Sequence, residues 1–151
     1  MKTRTKLRGE EGAAAVEFAI VVSLLFVILF GIMEFGLAFF ELQNLRSAAR
    51  EGARTAAVNG DRTEIRDSLV AGASGSLPSS YGVGAYQVKV NGASTAADQP
   101  CDGLDSQGDE VRVTLPLGSL PSNVQSTFLV NIPFLPEITL TPTIEGSFRC
   151  E

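Results

Sequence analysis

The side chains able to do chemistry in this chain are few and unevenly placed. None of the 151 residues is a histidine, which removes the commonest general base and the commonest metal ligand together. Glu17 is a carboxylate set in an otherwise apolar run. Arg46, Arg50 and Arg54 recur every four residues. Cys101 and Cys150 are the two cysteines. There is no Gly-x-Ser-x-Gly, no phosphate loop and no paired-carboxylate motif. This inventory suits charge pairing and covalent stapling rather than turnover. The reading is a protein that is not an enzyme, with no catalytic, cofactor-binding or metal-binding residues.

Glu17 raises the sharpest question. An ionised carboxylate inside hydrocarbon is costly unless it is paired or neutralised. Taken alone, Glu17 could reach the headgroups, since it lies near the start of the apolar run. Its context adds a second possibility. Gly12 precedes the run, Glu17 is the fifth residue after that glycine, and Phe18 follows.

The elements that must position these residues divide the chain in four. Residues 1–12 form a basic leader with Lys2, Arg4, Lys6 and Arg8. Residues 13–33 are apolar apart from Glu17 and Ser23. As a helix they reach about 31 Å, the thickness of a bilayer core. A buried soluble helix is the alternative, but so small a chain could not wrap a segment that is apolar on every side. Residues 34–60 continue the helix outside the membrane, without a proline, to a cap at Asn59-Gly60. Gly31 and Gly36 are places where it could bend. Residues 61–151 form a small α+β outer domain. Asp61 and Glu64 are spaced as a capping box opening a second helix, with Ile65 and Leu69 as its apolar edge. Residues 72–80 have the composition of a flexible linker.

Beyond that point the pattern turns to strands. Residues 86–90 and 111–115 alternate with period two, and residues 138–140, continuing toward Phe148, form a third candidate. Five prolines after position 115 favour loops and edge strands there. Residues 91–108 read as a long hairpin loop. The expected fold class is α+β: a long N-terminal transmembrane helix, extended outside the membrane and packed against a small antiparallel sheet of about three strands.

Two stripes of small residues follow the membrane segment. One is Ala48, Gly52 and Ala56; the other is Ala49, Ala53 and Ala57. Such stripes let a second backbone approach closely. High helix propensity alone accounts for the alanines, but not for a mid-helix glycine, which costs about 1 kcal/mol. The arginine stripe repels itself at that spacing, and Glu51 can relieve only Arg54. A solvated face is the plain reading. The sharper one pairs the arginines with Glu34 and Glu41 of an adjacent subunit. Cys101 and Cys150, if bridged, close a loop worth up to about 4 kcal/mol in the chain-entropy model. Two cysteines without histidine make an incomplete zinc site.

The leader, Gly12, Glu17 and the following aromatic resemble the class III leader of type IV prepilins. That resemblance implies cleavage by a prepilin peptidase between Gly12 and Ala13. The new α-amine of Ala13, with a pKa of about 8, would be available to a neighbouring subunit's Glu17. A buried pair of that kind sets register more than it adds stability. Together with Ala49-Arg50-Glu51-Gly52-Ala53-Arg54 and the run Ala56-Ala57-Val58, these features look like TadE-like proteins. The ending Phe148-Arg149-Cys150-Glu151 is similar to the arginine-then-glutamate ending common in that family. The family consists of minor, pseudopilin-type subunits of tight-adherence (Flp, type IVc) pili. Membership implies a pilin-like fold and a role in pilus assembly and adhesion. It implies as partners the lipid bilayer, other pilin and pilin-like subunits, the peptidase and the pilus assembly platform. Major Flp pilins usually carry tyrosine where Phe18 stands and are far shorter, which favours a minor subunit.

A secretory signal peptide is the rival reading of the N-terminus. Its apolar region would be shorter, with the small-residue cleavage site after it; here Ala13, Ala14 and Ala15 come first. A constitutive, uncleaved bitopic protein whose outer domain binds a ligand or the cell wall is the other alternative. Topology rests on little: four basic residues precede the span and three follow it. The prepilin resemblance and the cysteine pair place the N-terminus in the cytoplasm and the outer domain outside, and leave open whether the subunit stays in the membrane or enters a surface pilus. A net charge of −5 leaves no basic footprint for nucleic acid.

Overall fold

The computed structural model describes residues 7–102 and 108–151, with side chains from Gly12 onward. The charged leader residues Lys2, Arg4 and Lys6, and part of the expected hairpin loop, lie outside the described residues. A single helix, α1 (Leu7–Ala57), runs through 51 residues, about 77 Å at 1.5 Å per residue. It starts within the leader, ahead of the expected Ala13, and passes Gly31 and Gly36 without a break. Its end is where Asn59-Gly60 predicts. Asn59 takes a left-handed φ of 63°, and the Gly60 N–H donates to the Thr55 carbonyl at 2.9 Å. That six-to-one bond is the Schellman closure.

Asp61 then opens α2 (Arg62–Gly72). Its carboxylate accepts from the amides of Thr63 at 2.7 Å and Glu64 at 2.8 Å. Glu64 returns the bond to the Asp61 N–H at 3.0 Å, which completes the capping box. Ile65 and Leu69 are fully buried against α1. Residues 72–80 are tied down more than their composition suggests. Leu77 and Tyr81 both enter the core, and the Tyr81 hydroxyl bonds the Ala85 carbonyl at 3.1 Å.

The main sheet has four strands in the order β2-β1-β3-β6, all antiparallel. They are β1 (Gln87–Val90), β2 (Ala93–Ser94), β3 (Glu110–Thr114) and β6 (Glu145–Arg149). Val88 sits opposite Val113, and Val90 opposite Val111, so period-two alternation gives one apolar face. On the solvent face Arg112 pairs with Glu110 at 2.9 Å and Glu145 at 3.3 Å, and the Arg112 hydrogen bond holds the Glu110 carboxyl below its usual range.

The expected third strand divides in two. Residues 138–140 contribute β5 (Ile138–Thr139), which pairs with β4 (Leu129–Val130) in a separate two-stranded ribbon. Only after Pro142, which has no N–H for a ladder, does β6 join the main sheet. A 3₁₀ turn (Leu117–Ser119) and α3 (Ser122–Ser126) fill the proline-punctuated stretch before β4.

The core lies between the outer half of α1, α2 and the inner sheet face. Ala48, Ala49, Ala53 and Ala56 are fully buried there with Val111 and Val113. The small side chains are what permit the approach. A Cβ added to Gly52 would lie 2.6 Å from a Leu69 methyl, and one added to Gly72 would lie 3.0 Å from the Ala48 Cα. On Gly146 it would lie 2.5 Å from both the Ala49 carbonyl carbon and the Arg50 nitrogen. Thus α2 and β6 both lie on the alanine faces of α1.

Candidate assembly surface

The inner half of α1 is bare. From Gly12 the helix is long and apolar enough to cross a membrane, and none of its most apolar stretch is buried by the rest of the chain. Phe18 is 69% exposed and Leu24 62%. Its one hydroxyl there, Ser23 Oγ, donates back to the Ile20 carbonyl at 2.8 Å; this satisfies the group inside the helix, as an apolar solvent demands. Glu17 is exposed on this bare segment, one helical turn after Ala13 on the same face. Around Gly12 there is open space.

Farther along, the small-residue stripe read as an assembly surface turns out to be used within the chain. Ala48, Gly52 and Ala56 are covered by the protein's own α2 and sheet, so that face is closed to a second subunit. The close approach inferred from Gly52 is real, but its partner is Leu69 of the same chain.

The charged residues divide between two faces. Glu34 and Glu41 are half-buried, flanking the buried Ala38 and Leu42. The Glu41 Oε1 is covered and has no hydrogen-bond partner among the described residues. Arg50 and Arg54 are exposed and Arg46 half-buried. Arg54 meets Glu51 at 3.8 Å, the pairing expected from spacing. Arg46 and Arg50 form no ion pair within the described residues. Cys101 and Cys150 are bridged, with Cα atoms 5.5 Å apart and both residues buried. The bridge joins the β1–β3 connection to the residue after β6. Next to it the Glu151 N–H donates to the Ala57 carbonyl at 3.1 Å, which satisfies one of the open carbonyls at the end of α1.

One feature went unread in the sequence. The loop between β4 and β5 descends beside the bare part of α1. A Cβ added to Gly31 would lie 3.5 Å from the Ile132 Cδ1, so this side chain reaches the helix surface there. Phe134, 95% exposed and with a left-handed φ of 69°, lines an open cleft with Ile20, Ser23, Leu24 and Val27. The available signal was an apolar Ile-Pro-Phe-Leu-Pro string, which the prolines disguised as an ordinary loop.

The fold is α+β: a long N-terminal helix, apolar and long enough in its first half to cross a membrane, serves in its second half as the spine of a small domain. Residues 12–54 match the family model of TadE-like proteins. The match spans Gly12, Glu17 and all three arginines. No curated protein and no solved structure matches the chain.

Proposed function

We propose that the chain is a membrane-anchored, non-enzymatic minor subunit of a tight-adherence pilus. It sits N-in, is processed by a prepilin peptidase between Gly12 and Ala13, and assembles through the exposed parts of α1. The observation that carries this is the coincidence of the family match with the uncovered helix: residues 12–54 include a segment that its own domain leaves bare. An apolar surface of that extent needs lipid before assembly and neighbouring helices after it.

The charges suit the same reading. The Ala13 amine created by cleavage and the Glu17 of a neighbour would cancel in an apolar interior and fix the axial register. Arg46 and Arg50, without an ion pair among the described residues, are available to the Glu34 and Glu41 carboxylates of another subunit. The open space around Gly12 is consistent with access for the peptidase.

The decisive experiment is N-terminal sequencing of the protein recovered from membranes and from sheared pili. Ala13 as the first residue is the expected result. An intact Met1 in both fractions would leave an uncleaved bitopic anchor and remove the Glu17–amine pairing. Arg50→Glu separates assembly from folding, since Arg50 is exposed and makes no ion pair among the described residues. Normal incorporation of that variant would exclude the arginine stripe as an intersubunit contact.

A further inference from the structure

We infer that the β4–β5 tip, residues 132–136, is a second membrane contact that enters the outer leaflet beside α1. This rests on the reading that α1 spans the bilayer.

The argument is one of level. The Ile132 Cδ1 lies 3.5 Å from where a Gly31 Cβ would stand, and Phe134 lines one open cleft with Ile20, Ser23, Leu24 and Val27. Polar residues resume on α1 at Glu34. Ten residues separate Leu24 from Glu34, about 15 Å along the axis, or half of a hydrocarbon core about 30 Å thick. Whatever surrounds Leu24 therefore surrounds Phe134. If that medium is lipid, the tip is in lipid too.

The chemistry of the tip fits such a medium. Ile132, Phe134 and Leu135 are its only side chains besides two prolines. Irregular backbone is penalised in hydrocarbon through its unsatisfied N–H groups. Pro133 and Pro136 have none, and the Leu135 N–H donates to the Ile132 carbonyl at 3.1 Å. The flanking chain is satisfied by the ribbon, Val130 with Ile138 and Leu129 with Thr139. Polar Asn131 and Glu137 bracket the tip on the side away from the membrane centre. Phe134 buries almost none of its surface within the chain, yet an aromatic ring bare to water is unfavourable. Lipid removes that conflict. A second contact beside the helix would also set how the outer domain leans over the membrane.

The test uses the full chain in phosphatidylcholine vesicles. Leu24→Cys, Phe134→Cys and Asn123→Cys are labelled singly with an environment-sensitive fluorophore; the native cysteines are bridged and do not react. Labels at 24 and 134 should both be quenched by brominated lipid and shielded from iodide, while the label at 123 behaves oppositely. If 24 is lipid-quenched but 134 is open to iodide, the inference fails and the membrane reading stands. If 134 is shielded from both quenchers, its partner is another protein copy, and the inference again fails. If 24 itself is open to iodide, the spanning reading fails first.

Discussion

Replacing Gly146 by alanine tests the central packing claim, that β6 rests directly on the backbone of α1. The new methyl would lie 2.5 Å from the Ala49 carbonyl carbon and the Arg50 nitrogen. Carbon contacts prefer about 3.5–4.0 Å, so helix and strand would have to part by about 1 Å. Both obstructing atoms are backbone and neither can rotate away. Overpacking costs about 1–3 kcal/mol, and rigid neighbours put this site at the upper end. Gly146 has no left-handed φ, so alanine also gains about 0.4–1 kcal/mol by restricting the unfolded chain. The net loss is about 2 kcal/mol, a fall in midpoint of roughly 8–16 °C for a domain of this size. The assay is thermal unfolding of the full chain in detergent, followed by near-ultraviolet circular dichroism. Both tyrosines, Tyr81 and Tyr86, are buried in the outer domain, so the signal reports on that domain and not on the apolar helix. Gly118→Ala, which would meet nothing within 4 Å, is the control. A Gly146→Ala midpoint indistinguishable from that of the control would refute the helix–strand contact.

Other perturbations probe the remaining supports. Serine at both Cys101 and Cys150 should cost up to about 4 kcal/mol, from the chain-entropy model for a loop of this length, read by the same melts. Asn59→Val should destabilise by about 1–2 kcal/mol, because a β-branched residue does not take the left-handed conformation readily, whereas Asn59→Gly should be tolerated. Asp61→Ala should cost about 1 kcal/mol as α2 loses its cap. Burial pushes the Tyr81 and Tyr86 phenols above their ordinary 10.0. The folded state therefore holds these protons more tightly than the unfolded one. Their contribution is complete below pH 10.0 and is lost as pH rises through the folded values. Unfolding midpoints should fall on that alkaline side, and less steeply in Tyr86→Phe; an unchanged slope would remove Tyr86 from the account.

The parts of the fold that local chemistry dictates were legible in the sequence. The apolar run, the Asn59-Gly60 stop, the Asp61 box and the alternating valines each follow from a few neighbouring residues. What depends on distant packing was not. Whether Ala48, Gly52 and Ala56 face a second subunit or the chain's own α2 is undecidable from spacing, because both partners ask for the same small residues. The division of residues 138–149 between two sheets depends on β4, a two-residue strand too short to show a period. The candidate site follows the same division. Glu17, Gly12 and the arginines could be placed by position alone. The level of Phe134 beside Leu24 required the ribbon that carries it there.

The contact between Gly146 and Ala49 also has a temporal side. These partners lie almost a hundred residues apart in a chain made from the N-terminus onward, and long-range pairings of this kind form late. Until β6 arrives, the face of α1 around Ala49 stays uncovered, while α2 already covers Ala48 and Gly52. A chain interrupted before residue 144 would leave that small-residue face open to any neighbouring helix. Completion of the sheet thus acts as a sheath, which withdraws one close-packing face of the helix and leaves its apolar first half bare.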